Sequence, residues 1–373
     1  MTTIVNSLNE RKRAKLHVET VTIFKPGADG QWSYSHHPHL ASYNGRYYAI
    51  WSSGKVNEDD VGQRLMISSS DDFVRWSEPC PLVDSTPGIY ADAVLTAAGF
   101  HQYGDELVAY CGQYEYKAEH LENGSRKDGD RGHMNTSLYA VSTKDGSRWS
   151  APIPLHVPII PNHGPQRTRS GRLIISGNIM FPYTDDPTGL SGWTRAGIYP
   201  PEAESSIVDD SESFWRVKEM KGWPAGLCEG SFYETADGMI HMMLRSGAGR
   251  LWVTRSGDDG MTWTEPEPTP FTDNNSKFHF GTLPDGRIYY VGTPDPLPRG
   301  RRNPLVLSLS EDGFRFDRHF ILKDESCERQ FPGMYKGGDY GYPHTLVHGG
   351  FLHVIYSVCK EGVSALRVPI ETI

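Results

Sequence analysis

Short runs in which apolar and polar residues alternate recur along the chain on either side of glycine-containing turns, the period-two pattern of half-buried strands. The stretch CEGSFYETADGMIHMMLRS (228–246) carries two such runs around Ala236-Asp237-Gly238, which predicts a β-hairpin. A hairpin returns its two ends to one another, so Glu229 and Arg245 are expected side by side. Five further stretches share the form: HHPHLASYNGRYYAIWS, DAVLTAAGFHQYGDELVAYCGQY, HGPQRTRSGRLIISGN, FHFGTLPDGRIYYVGTP and YPHTLVHGGFLHVIYS. Their turn glycines, Gly45, Gly104, Gly171, Gly238, Gly286 and Gly350, are spaced by 59, 67, 67, 48 and 64 residues. Units of that size hold four strands rather than two, and the period is that of a propeller blade. The predicted fold is all-β: a six-bladed β-propeller, one domain over residues 1–373 with a short N-terminal tail at 1–17. Segment 339–369 is expected to complete the sixth blade, with an N-terminal strand as its clasp.

Composition agrees with many short strands and turns: 39 Gly and 26 Pro in 373 residues suit them and disfavour a helical bundle. The net charge of −9 argues against nucleic acid or an anionic membrane surface as partner. No apolar run is long enough for a transmembrane helix, and the start MTTIVNSLNERKRAKLH has no apolar core of a secretory signal, so a cytoplasmic setting is expected. The NERKRAK cluster reads as part of a solvated tail. The five cysteines are widely spaced without a CxxC pair, so neither a disulfide framework nor a zinc site is expected, and no cofactor. The sequence leaves the oligomeric state open.

Aligning the hairpins on their glycines shows what would line a central pocket. Eight residues before the glycine stand His37, His163 and Tyr342; one residue to either side of that position stand Glu229 and His279. In the second unit Asp92 is nearest. Acid–base groups at one height point to a site, against the plainer reading of a wet channel with inert polar walls. A metal held by His37, His163 and His279 is conceivable, although no diagnostic spacing supports it, and none is expected.

A second repeat interleaves with the hairpins. SGDDGMTW (256–263) has the pattern Ser-x-Asp-x-Gly-x-x-Trp. SSDDFVRW (69–76) keeps Ser, Asp and Trp, STKDGSRW (142–149) keeps Ser, Gly and Trp, and LSEDGFRF (309–316) keeps Gly. This resembles the Asp-box, or BNR repeat, of the sialidase superfamily, and with the architecture the resemblance covers most of the chain. It implies a structural role for these turns between the outer strands of each blade, and an oligosaccharide as substrate.

The resemblance also implies roles for residues. GYPHTL is similar to the family segment that carries a nucleophilic tyrosine, which points to Tyr342 with Glu229 as its base. Arg245, sixteen residues after Glu229, matches an arginine that anchors the sugar carboxylate. Asp60, in the loop GKVNEDDVG, is the first choice for the acid/base and Asp59 the second. The family's other two anchoring arginines lack counterparts: SHHPHL brings His36, His37 and His39 where the first belongs, and KFHFGTL stands where the third belongs. Arg64, Arg167 and Arg301 are candidates to fill the cluster, and His39, His163, His279, His344 and Asp92 are expected as further contacts in the pocket.

A divergent, non-sialidase member is therefore expected: an exo-acting glycoside hydrolase on a terminal acidic sugar. A lyase on uronate-containing glycans, using His37 or His163 with Tyr342, is the second reading. A non-catalytic carbohydrate-binding propeller is the third.

Overall fold

The computed structural model describes residues 3–8, 13–127, 132–200 and 211–373, with side chains in the last segment from residue 213 onward. Six antiparallel sheets follow one another along it, and each begins with one of the six hairpins. The first comprises strands Tyr34–Tyr43, Arg46–Gly54, Arg64–Ser70 and Cys80–Val83; the second Val94–Tyr103, Glu106–Tyr116, His133–Thr143 and Ile153–Pro154. The third has three two-residue strands, Gln166–Arg167, Leu173–Ile174 and Tyr183–Thr184, where four were expected. The fourth is Cys228–Glu234, Ile240–Arg245, Arg250–Ser256 and Glu267–Thr272. The fifth holds His279–Thr282, Ile288–Gly292, Leu305–Ser310 and Arg318–Lys323, and the sixth Tyr340–His348, Phe351–Val358 and Gly362–Pro369.

The strand Glu19–Phe24 pairs antiparallel with Gly362–Pro369, so a strand from near the start of the chain completes the sixth sheet. The expected solvated tail is corrected on both sides of residues 9–12, which lie outside the described residues. Val5–Asn6 pairs with Arg315–Phe316, Ala14–Lys15 pairs with Phe320–Ile321, and Ile4 is buried. Apolar Ile4 and Val5 have a sheet edge to cover, which outweighs the polar average of the segment. Helix Ser211–Lys221, which the alternation did not predict, buries Phe214 and Val217 beside the second, third and fourth sheets.

The core is divided among the sheet interfaces. Ile50, Leu65, Leu95 and Ala109 join the first and second sheets; Met243, Val253, Phe280 and Tyr290 join the fourth and fifth. Leu307, Leu352 and Val354 join the fifth and sixth, and Trp51, Ile355 and Ala365 join the sixth to the first. Inner strands such as Arg46–Gly54 bury side chains on both faces, whereas an outer strand such as Glu267–Thr272 keeps the alternation of a half-buried strand.

At the turn between the third and fourth strands of the fourth sheet, Ser256 Oγ donates to Asp258 at 2.8 Å and accepts from Gly260 N at 2.8 Å. Asp258 accepts from Thr262 N at 2.9 Å, and Trp263 Nε1 donates to Gly260 O at 3.1 Å. The same bonding recurs with Ser70 and Asp72, Thr143 and Asp145, and Ser310 and Asp312. In those three the hydroxyl and carboxylate residues stand one position later than the register read from the sequence. These aspartates hold backbone N–H groups. Trp263 packs edge-on against Phe181, with ring centroids 5.0 Å apart. Trp263→Ala should lower the unfolding free energy by about 3 kcal/mol in a denaturant titration; an unchanged midpoint with lost activity would overturn this structural role.

Candidate active site

Three sheets present an ionisable or aromatic residue to one cavity by the same backbone device. Bulges interrupt the pairing between His36 and His39, Cys228 and Gly230, and Gly341 and His344. At each, one residue takes a left-handed conformation: His37 with φ 54°, Glu229 with φ 51°, Tyr342 with φ 52°. Such conformations cost about 1–3 kcal/mol each and cluster at functional sites. A bulge re-aims a side chain that the alternation of the strand would send into the sheet interface.

The register pairs Cys228 with Arg245 across the fourth sheet, which places Glu229 beside Arg245 as the hairpin predicts. Glu229 receives both neighbours. Tyr342 Oη donates to its Oε1 and Arg245 Nη1 to its Oε2, while Arg245 Nη1 also donates to Tyr342 Oη at 2.8 Å. Arg245 Nε is held by Asn275 Oδ1 at 3.0 Å. Burial pushes the Glu229 carboxyl upward, but Arg245, the Tyr342 hydroxyl and Arg302 outweigh it and hold it below its ordinary range. Burial and the facing carboxylate push the Tyr342 phenol well up, so the proton stays on the phenol until the carboxylate takes it.

The cavity measures about 550 Å³ and continues into a smaller recess of about 220 Å³; Glu58, Asp59, Glu229 and Tyr342 line both. Six cationic side chains, Arg126, Lys218, Arg245, Arg302, Lys336 and Lys360, face three acidic ones, Glu58, Asp59 and Glu229, in the larger part. A protein of net charge −9 has therefore gathered positive charge here, the setting for an anionic ligand. Arg302 lies 5.3 Å from the centre of the Tyr342 ring, and its Nη1 is buried without a hydrogen-bond partner.

Asp59, not Asp60, faces the cavity. Asp60 is turned inward to accept from Asn57 Nδ2 at 2.7 Å, Val61 N at 2.8 Å and Arg126 N at 3.0 Å, which shapes the loop. The left-handed Asp59, φ 52°, separates the two side chains. Burial and the neighbouring Glu58 raise the Asp59 carboxyl to about 6.

The predicted histidine ring divides in two. His37 stays with Tyr342, their ring centroids 5.1 Å apart. His163, His279 and His344 line a second cavity of about 510 Å³, together with Arg167. His279 stacks on His163 at 4.8 Å and on His344 at 4.7 Å. His163, His279, His344 and Arg167 are thus corrected as members of the Tyr342 site, and a metal shared by His37, His163 and His279 has no common point. His39 is wholly buried between the carbonyls of His37 and Asn162. Arg64 lies over the Trp32 ring at 3.5 Å, Asp92 is exposed beyond the cavity, and Arg301 pairs with Asp339 at 3.5 Å.

Arg302, Glu58, Lys360 and Lys277 escaped sequence reasoning, as did Arg126, Lys218 and Lys336 on the cavity wall. Arg302 is the neighbour of the arginine chosen, and its signal, RRNP ahead of a strand, gives no means to tell the two apart. Lys277 stands at the place searched for an arginine; its Nζ lies 5.7 Å from the Tyr342 ring centre, and burial lowers its pKa to about 7.

A family model for a BNR repeat-like domain matches residues 45–354. The chain belongs to that family. Among solved structures, this BNR repeat-like chain is similar to a sialidase at 19% identity and a TM-score of 0.66, over 99% of this chain and 35% of that one. It thus spans about a third of that protein's length. A sialidase of Streptococcus pneumoniae is 14% identical with a TM-score of 0.64, over 94% of this chain and 70% of that one. An intramolecular trans-sialidase of Ruminococcus gnavus, solved with oseltamivir carboxylate, is 14% identical with a TM-score of 0.64, over 94% and 97% of the two chains. At these identities the likeness is one of fold. No curated protein sequence matches the chain.

Proposed function

We propose that this BNR repeat-like protein is an exo-acting glycoside hydrolase that removes a terminal acidic sugar from an oligosaccharide. In this reading the six sheets are the blades of one β-propeller domain, the four Ser/Thr-x-Asp turns are its Asp-boxes, and the Tyr342 cavity opens at one mouth of the axis. The observation that carries it is Tyr342 hydrogen-bonded to a Glu229 that Arg245 keeps ionised, inside a cavity richer in cations than in acids.

A phenol becomes a nucleophile when an adjacent base takes its proton as the new bond forms. Glu229 does so, and Tyr342 Oη attacks the anomeric carbon. Asp59 protonates the leaving oxygen and later deprotonates the water that releases the sugar. Arg245 and Arg302 hold the sugar carboxylate, Arg302 with a buried N–H free to donate. This mends half of the missing clamp: two arginines act where the sequence offered one. The lyase reading needs a histidine base. His163 lies in the other cavity, and burial lowers His37 to about 3, which leaves it too weakly basic to take a carbon-bound proton near neutrality.

The raised Asp59 carboxyl sets the alkaline limb. With a general acid titrating at about 6, kcat/KM should be full below that pH and fall as pH rises through it. Asp59→Asn should remove that limb and spare kcat/KM on substrates whose leaving group needs no proton, such as a nitrophenyl glycoside, while their kcat falls because the water of the second step loses its base. A limb that persists in the variant would exclude Asp59 as the acid. The substrate class is tested by incubation with a panel of acidic and neutral oligosaccharides, with products read by mass spectrometry. Release of neutral sugars alone would refute the acidic specificity.

A further inference from the structure

We propose that His36, His37 and Glu58 form a binding site for one divalent transition-metal ion, zinc above all, in the wall of the Tyr342 cavity. That the ion binds stands apart from the hydrolase reading; that it then touches substrate rests on that reading. One nitrogen from each imidazole and one oxygen from the carboxylate lie within 4.8 Å of one another, and among the described residues no other such group of three gathers. Two imidazoles and one carboxylate, with a fourth position left open, make a donor set that zinc takes in catalytic sites.

The backbone is bent to build this group. Consecutive residues of a strand point to opposite faces. The bulge at His36 and His39, with its left-handed His37, instead brings the two adjacent rings together, with centroids 4.6 Å apart. Gly341 makes room for them: a Cβ there would stand 2.9 Å from His36 Cε1 and 2.7 Å from Ser357 Oγ.

The hydrogen bonds set the tautomer of His36. Ser357 Oγ donates to Gly341 O at 3.2 Å, so at 2.6 Å it must accept from His36 Nδ1–H. The neutral ring then carries its lone pair on Nε2, and that atom is buried without any partner. A cation is the group that satisfies a buried lone pair facing no donor. His37 Nδ1 lies 3.1 Å from Ser52 Oγ, which orients the second ring through its inner nitrogen. Such outer partners are the usual support of metal-ligating histidines. Glu58 keeps Lys360 on Oε2 at 2.5 Å, leaving Oε1 for the ion.

The surrounding charges choose among metals. Lys360, Lys277 and Arg302 all act on His36, and their repulsion disfavours calcium or magnesium, which are held by charge on oxygen ligands. Zinc gains from the imidazole nitrogens themselves and tolerates that field better. The ring of Tyr342 lies with its centroid 4.0 Å from that of His36, so an ion here adds a contact for a sugar oxygen on the histidine side of the cavity.

The test is metal content. Full-length protein stripped with a chelator and dialysed against buffered zinc should retain about one zinc per chain, and no calcium or magnesium when these are offered instead. His36→Gln and Glu58→Gln should each weaken zinc binding by at least about 100-fold, and Ser357→Ala, which removes no ligand but takes away the acceptor that orients His36, by about 10-fold. Cys228 lines the same cavity, so Cys228→Ser must retain zinc. No uptake by the wild type, or zinc lost from Cys228→Ser but kept by His36→Gln, would overturn the site. Should a histidine variant fail to fold, anomalous diffraction from zinc-soaked wild-type crystals decides: a peak about 2.0–2.2 Å from both imidazoles supports the site, and a peak elsewhere or none refutes it. Metal content is read without substrate, so its failure leaves the hydrolase reading standing, and a Tyr342→Phe enzyme with full turnover leaves the metal site standing.

Discussion

Tyr342→Phe should lower kcat/KM on an acidic exo-glycoside by about 10³-fold or more, with little change in thermal stability. The substitution removes one hydroxyl. Glu229 keeps Arg245 as its ionic partner, so no buried charge is stranded. Glu229→Gln should fall by a similar factor, because the amide still accepts from Tyr342 but cannot take its proton. Both changes disable one step, so the double variant should be scarcely slower than either single one. Additive losses, each multiplying the other, would mean that the two residues act independently and that Glu229 is not the base of Tyr342.

Arg302→Ala should cost the second largest factor, about 30- to 1,000-fold in kcat/KM, the range for removing one partner of a buried charge-assisted pair. The loss should be confined to acidic sugars and appear mainly in KM if Arg302 holds the carboxylate equally in ground and transition states. Arg301→Ala is the control: its guanidinium pairs with Asp339 and reaches Ser326 Oγ at 2.6 Å, so turnover should be unaffected. Equal losses in both variants would contradict the assignment of the clamp.

The hairpins were legible because each has its own complete local signal. Gly238 sits at φ 84° and Gly286 at φ 92°, conformations that only a glycine adopts without strain, and the apolar runs beside them carry the pairing. The Glu229–Arg245 pair was legible for the same reason, since a hairpin fixes which residues meet. Bulges, by contrast, leave no signature in composition. Counting back from a turn found His37, Glu229 and Tyr342, which do share a cavity, but it could not show that a bulge at each is what aims the side chain there. His163 and His279, matched by the count, line the second cavity instead.

Choices between neighbours failed in the loops. Asp59 against Asp60 and Arg302 against Arg301 turn on a single left-handed residue, φ 52° at Asp59 and φ 59° at Arg302. In the Ser70 and Thr143 turns the register differs by one residue from the Ser256 turn, because that turn alone has an added residue before its tryptophan. None of these is a question of residue type. Each is a question of which way one peptide turns, and short-range pattern does not fix it.

The central claim is hydrolysis by the Tyr342 cavity, and its most direct test is digestion of an acidic oligosaccharide panel in heavy-oxygen water. If the account holds, the released terminal acidic sugar carries one heavy oxygen at its anomeric carbon, the products together outweigh the substrate by one labelled water, and Tyr342→Phe releases almost none. Unlabelled products with an unsaturated ring, or no product from any member of the panel, would contradict it.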